Sequence, residues 1–255
     1  MSSGSVVLST LEFDVLWERE NLPPRHVAVD VLSPGKTHSE RAALVRQAFD
    51  ALEQRGLAKG DRAVPELADW LNLLAHPQIA IDSWVWTDHE IKSLAVATGG
   101  EGLLAVVELK EVWLIPARDT ALADAAVSIA GVQPAGRGYS VSVATELLHA
   151  ADARAQGNPQ TMATYLKERG VSTVDAQTLA ATLSGMGIRG QFGAERRQRD
   201  GQVRRADRVV AFHDTPEGRY AYLVRPSNDG RTWSTITPAD NTLLAACVRE
   251  LLDEI

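Results

Sequence analysis

The chain has 255 residues, 45% of them hydrophobic and 23% charged, which is enough apolar side chain for a sizeable core and excludes wholesale disorder. A formal net charge of −7 argues against a surface built for nucleic-acid backbone, which needs a net basic face. The single cysteine, Cys247, excludes a disulfide within the chain and any zinc site that needs two thiolates.

Met1-Ser2-Ser3-Gly4-Ser5 has neither the basic segment nor the apolar run of a secretory signal. No stretch reaches the roughly 18 apolar residues of a membrane span. A cytoplasmic location without a membrane span is the expectation.

In the first half, Val6-Val7-Leu8 is a short apolar run. Ser9 stands three before Glu12, a capping-box spacing, and Leu11, Val15 and Leu16 carry a helical stripe to about Asn21. Pro23-Pro24 end it. Val27, Val29 and Val31 alternate and predict an extended segment. Thr37 and Glu40 repeat the capping-box spacing, and Val45, Ala48, Phe49 and Leu52 form one helix face before Gly56. Pro65 opens a further helix with Leu67, Leu71 and Leu74 that runs to His76-Pro77. The period then changes to two, and strands are expected over 78–87, 90–98, 103–109 and 111–116. Their short connections fit antiparallel hairpins. A helix over 119–130 closes the half.

The second half repeats this order. A strand is expected over 139–143 and helices over 145–156, from Asn158-Pro159 to Gly170, and over 174–184. Strands follow over 188–198, 203–213, 219–225 and 232–237, with Asp200-Gly201 as a hairpin turn. A last helix over 239–252 carries Leu244, Cys247, Val248 and Leu251 on one face. Local detail repeats as well. Residues 6–13 parallel 141–148, Glu101-Gly102 parallels Glu217-Gly218, and Trp113-x-x-Pro116 with Asp119 parallels 233–238 with Asp240. The expected fold is α+β. It is a single body over 1–255 with pseudo-two-fold repeats 1–131 and 136–255, and a central antiparallel sheet flanked by N-terminal and C-terminal helical bundles.

Catalytic signatures are weak. Gly35-Lys36-Thr37 lacks the glycine that a phosphate-binding loop needs five residues earlier, where Asp30 stands. The string Gly185-Met186-Gly187-Ile188-Arg189-Gly190 follows a helix and opens a strand, the inverse of a dinucleotide-binding context. Six histidines show no metal-ligand spacing, and Asp88-His89-Glu90 reads as a turn of solvated charges. Cys247, on an apolar helix face, reads as a buried thiol. Neither cofactor nor metal is expected.

Contact surfaces are the better candidates. Arg196, Arg197, Arg199, Arg204, Arg205 and Arg208 crowd the Asp200-Gly201 turn, either as a solvated hairpin that protects a sheet edge or as a contact for an acidic partner. Trp84 and Trp86 share one strand face beside Asp88, as core or as contact surface. Phe192 with Met162, Leu166 and Met186 raises the same alternative, an apolar groove that would accept a partner's helix tip.

The order of elements resembles the EspG family of ESX (type VII) secretion-associated proteins. Val7-Leu8-Ser9-Thr10-Leu11 with Leu16-Trp17 and Leu22-Pro23-Pro24 carries the likeness. So do Val141-Ser142-Val143-Ala144-Thr145-Glu146-Leu147-Leu148-His149-Ala150-Ala151-Asp152, the Arg219-Tyr220 strand and the terminal helix after Asp240. The segment Leu22-Pro23-Pro24-Arg25-His26-Val27 looks closest to the member of the third ESX system.

The resemblance implies a cytosolic, non-enzymatic chaperone of mycobacteria and their relatives. Such a chaperone binds a PE–PPE heterodimer mainly through the tip of the PPE partner and delivers it for secretion. The grip would fall on the sheet, the C-terminal bundle and the loop near 87–90. Carried over by element, this implies partner-binding residues Trp84, Trp86, Asp88, His89, Met162, Leu166, Met186 and Phe192, with Arg197 and Arg204 on a basic rim. The rival expectations are an enzyme with a dispersed site around His89, His213 or Glu217, and a homodimer closed through Trp84 and Trp86.

Overall fold

The computed structural model describes residues 4–227 and 230–255. The expectation that residues 1–5 form no leader lies largely outside them. The chain forms two compact units. The first contains residues up to Trp84, His89–Ala126 and Glu195–Arg204, and the second Val85–Asp88, Val127–Ala194 and Arg205–Ile255.

The first unit opens with β1 (Val6–Ser9) and α1 (Thr10–Arg19). Glu12 N–H donates to Ser9 Oγ at 3.1 Å and Ser9 N–H to the Glu12 carboxylate at 2.6 Å, the expected capping box. Such a cap is worth about 1 kcal/mol. Trp17 Nε1–H donates to Pro23 O at 2.7 Å and fixes the chain where the helix ends. Thr37 and Glu40 form a second capping box at the start of α2 (His38–Gln54). A small hairpin of β2 (Ala58–Lys59) and β3 (Arg62–Ala63), absent from the sequence reading, precedes α3 (Pro65–Ala75).

The meander comprises β4 (Ile79–Trp86), β5 (Glu90–Thr98), β6 (Glu101–Glu108) and β7 (Glu111–Arg118). Sheet order is β1-β7-β6-β5-β4, with β1 antiparallel to β7 and Val7 opposite Trp113. Phe13, Leu16, Phe49, Leu52, Leu71 and Leu94 are buried in its core.

Val27–Val29 is a 3₁₀ turn and not the extended segment that its alternating valines predict. A local cap and a longer-range ion pair hold it there. His26 Nδ1 accepts the Ala28 N–H at 3.1 Å and caps the turn. Arg25 is held by Asp14, at 2.9 Å, and by Asp30, at 3.1 Å. Asp14 is 3% exposed and also meets Arg41 Nη1 at 2.7 Å, so a buried carboxylate is matched by two guanidinium groups.

The helix expected over 119–130 is a 3₁₀ turn, Asp119–Ala121, followed by α4 (Leu122–Ser128). The second unit then runs through β8 (Val141–Ala144), α5 (Thr145–Ala155), α6 (Pro159–Glu168) and α7 (Thr173–Thr182). The later strands are β9 (Arg189–Arg197) and β10 (Val203–Arg205), of which Glu195–Arg204 counts with the first unit, then β11 (Val210–Thr215), β12 (Gly218–Pro226) and β13 (Thr232–Pro238), and α8 (Asn241–Asp253) ends the chain.

The sheet order here is β9-β11-β12-β13-β8, so the unit's opening strand again pairs with the last strand of its meander. Trp113 on β7 and Trp233 on β13 are each 37% exposed, but they differ in register: Trp113 stands opposite Val7, the second residue of β1, and Trp233 opposite Ala144, the last residue of β8. The strand expected over 203–213 is broken at 206–209. There Ala206 N–H turns in to Ala194 O at 2.9 Å and Arg208 pairs with Glu254. Asp200-Gly201 does make the hairpin turn, with Gly201 at φ +86°.

One close approach needs glycine. A Cβ on Gly136 would lie 2.2 Å from the Tyr220 ring, and one on Gly218 (φ +119°) would lie 2.8 Å from Gly136. This contact seats the segment before β8 against β12, where Gly136 N–H donates to Arg219 O at 2.8 Å.

Candidate interaction surface

The second unit contains an open groove of about 380 Å³. Its deep wall includes Leu148 of α5 and Phe212 and His213 of β11, all buried. Trp86, Leu183 and Tyr222 are half-buried along it, and Met186, His149, Asp152 and Arg189 are exposed at its mouth. Met186 is 48% exposed, and a flexible thioether at the edge of an aromatic groove adapts its shape to an incoming side chain.

The sequence marks two of these groove residues, Trp86 and Met186. Trp84 differs from Trp86, packing partly buried against the core of the first unit. Three other expected contact residues are core. Met162 is 4% exposed and Leu166 0%, because their helical stripe on α6 faces the cluster of Leu148, Ala176 and Leu179. Phe192 is fully buried and stacks on Phe212 with ring centroids 5.7 Å apart, so it supports a groove residue but offers no surface.

Only Thr87, Asp88 and His89 separate β4 from β5, a tight turn with little reach. Asp88 is exposed and accepts from the Thr87 hydroxyl at 2.9 Å, while His89 Nε2 meets Glu108 at 2.7 Å. The basic ribbon is partly spent within the fold. Arg197 donates to Pro77 O at 3.3 Å and Gly201 O at 3.2 Å, closing its hairpin, and Arg208 pairs with Glu254. Arg204 is exposed on β10.

Leu148, Leu183, Ala211, Phe212 and Tyr222 were missed because they come from separate segments. Polar residues of the groove stand on α5, where His149 and Asp152 lie at i and i+3, and at Arg189, which opens β9.

The residues of the rival enzymatic expectation are separately engaged. His213 is 4% exposed and its Nε2 lies 2.7 Å from Thr182 O, while Glu217 is exposed and pairs with Arg137 at 3.2 Å. Cys247 is buried, and burial pushes its thiol pKa up, which keeps it protonated and unreactive.

His26, Asp82 and Glu195 come together in the first unit with one donor atom each within 4.8 Å of the others. His26 Nε2 faces Glu195 at 3.5 Å, but its Nδ1 accepts the Ala28 N–H. An imidazole that accepts at Nδ1 carries its proton on Nε2, the atom a metal would need, so the set does not suit a metal.

Burial pushes the His213 pKa below the ordinary imidazole value, against the opposing pull of the Thr182 carbonyl and of Asp214. The folded state therefore holds fewer protons than the unfolded chain below about pH 6.5, and stability falls as the pH drops through that value. Urea unfolding should show a lower midpoint at about pH 5.5 than at about pH 7.5, and His213→Gln should flatten that difference. An equal pH dependence in the variant would assign the loss to other groups.

An open apolar groove walled by aromatic side chains and edged by charged ones is the kind of surface that protein interaction modules present. The chain belongs to the EspG family, whose model matches residues 9–250. No curated protein matches it. Among solved structures it is similar to the Mycobacterium tuberculosis type VII secretion system chaperone EspG5, solved in complex with the PE25-PPE41 dimer. That similarity has a TM-score of 0.75 at 18% identity and covers 98% of this chain and 96% of that one. The two therefore share a fold.

Proposed function

We propose that this chain is a cytosolic chaperone of type VII secretion that binds a PE–PPE heterodimer at the PPE tip through the groove of the second unit. The observation that carries the reading is that groove, with Trp86 and Met186 at an open apolar surface, in a member of the EspG family. Shielding an aggregation-prone tip requires no reacting group. It requires apolar surface that competes with self-association of the cargo, and a polar edge that keeps the free chaperone soluble. Among the described residues no helix is long and apolar enough to cross a membrane.

Co-expression with tagged PE–PPE pairs from each ESX system, followed by size exclusion, tests this. The expected result is a stable 1:1:1 complex with pairs from one system, which also names the system. Folded chain that captures no pair from any system overturns the proposal.

A further inference from the structure

We infer that Asp152 and Arg189 are specificity-determining charges of the groove, selecting a partner turn that presents an apolar side chain between a basic and an acidic residue. This rests on the proposed function and adds the chemistry of the partner.

Asp152 lies on α5 and Arg189 opens β9, so two different elements bring opposite charges to one groove. Both residues are exposed. Among the described residues, neither side chain has a hydrogen bond or an ion pair. Other arginines of the same unit are matched, Arg137 by Glu217, Arg208 by Glu254 and Arg225 by Glu250. The fold thus draws no pairing from these two charges, although both stand beside an apolar surface.

A groove with an apolar wall and two opposite charges at its mouth does not match a nucleic acid, because Asp152 repels phosphate. It does match a protein turn. The apolar side chain of that turn would seat against Trp86, Met186 and Phe212, with a lysine or arginine towards Asp152 and an acid towards Arg189. Charges at a rim steer encounter and fix orientation, and they reject partners of the wrong sign by like-charge repulsion. The same apolar groove can then serve one cargo and refuse another.

The test uses the full chain and the PE–PPE pair captured in the co-expression experiment. Asp152→Lys and Arg189→Glu should each weaken binding about tenfold, with slower association and a flatter dependence on salt. Their unfolding midpoints should match that of the wild type, since neither side chain is paired in the fold. Two variants that both bind within about twofold of wild type at low and at physiological salt overturn the inference and leave the proposed function standing. Wild-type chain that captures no pair overturns both. Charge reversal that alters only self-association of the chain overturns the inference in favour of a second copy as occupant.

Discussion

Replacing Arg219 by alanine should cost about 3–5 kcal/mol of folding stability, the loss expected when one partner of a buried ion pair is removed. Arg219 is 0% exposed. Its guanidinium spends all its donors inside the second unit. Nε and Nη2 grip Asp214 at 2.7 and 2.9 Å, Nη2 also donates to Ala130 O at 2.6 Å, and Nη1 donates to Gly131 O at 3.1 Å and to Asn241 Oδ1. The Phe212 ring lies 4.6 Å from its Cζ. One side chain thereby ties the end of α4, the β11–β12 hairpin and the start of α8.

Truncation leaves the Asp214 carboxylate without its charge partner and the Ala130 carbonyl without its arginine donor, while Gly131 O keeps the donation from Asn241 Nδ2 at 3.0 Å. Arg219→Lys should recover little, because an ammonium cannot reproduce the planar five-donor fork. Arg219→Met with Asp214→Leu should recover more than Arg219→Met alone, since the double change buries no unpaired charge. Urea unfolding near neutral pH measures all of these. An Arg219→Ala chain within about 1 kcal/mol of wild type would show that the network is not a principal support of the fold.

Most of the architecture was legible because it rests on local chemistry. Ser9 with Glu12 and Thr37 with Glu40 are capping boxes in print and in space. The change from helical period to alternation places the strand meanders within a few residues. The failures have two causes. The 3₁₀ turn at Val27–Val29 depends on Arg25 reaching Asp14, a long-range pair that no local pattern displays. The β2–β3 hairpin has strands too short to show a period.

The candidate groove was legible only in part. A stripe such as Met162 and Leu166 reveals that one face is apolar, but not whether a neighbouring helix already covers it. Here α5 and α7 do. Arg219 was visible as part of the family likeness, yet its role depends on Asp214, Ala130, Gly131 and Asn241 meeting in space. The same holds for the segment around Pro23, whose conspicuous residues serve the scaffold, as the Trp17 bond to the Pro23 carbonyl illustrates.

Trp84 and Trp86 look alike in the sequence, and their substitution should separate folding from binding. Trp84 packs on the core of the first unit, so Trp84→Ala removes contacts that the fold uses. A stability loss of about 2–3 kcal/mol is expected, below the range for a fully buried tryptophan because Trp84 is only half-buried. Trp86 lines the groove of the second unit. Its indole provides a large rigid apolar surface that gains its full burial only when a partner covers it. Trp86→Ala should therefore weaken binding of the captured PE–PPE pair by about 2 kcal/mol or more, roughly 30-fold, with a much smaller change in the urea midpoint. The informative quantity is the crossing of the two effects. If Trp86→Ala keeps its affinity within about twofold of wild type, the groove is not the cargo site. If Trp84→Ala loses affinity in proportion to its fraction unfolded and no further, the residue acts through the fold alone, as its packing requires.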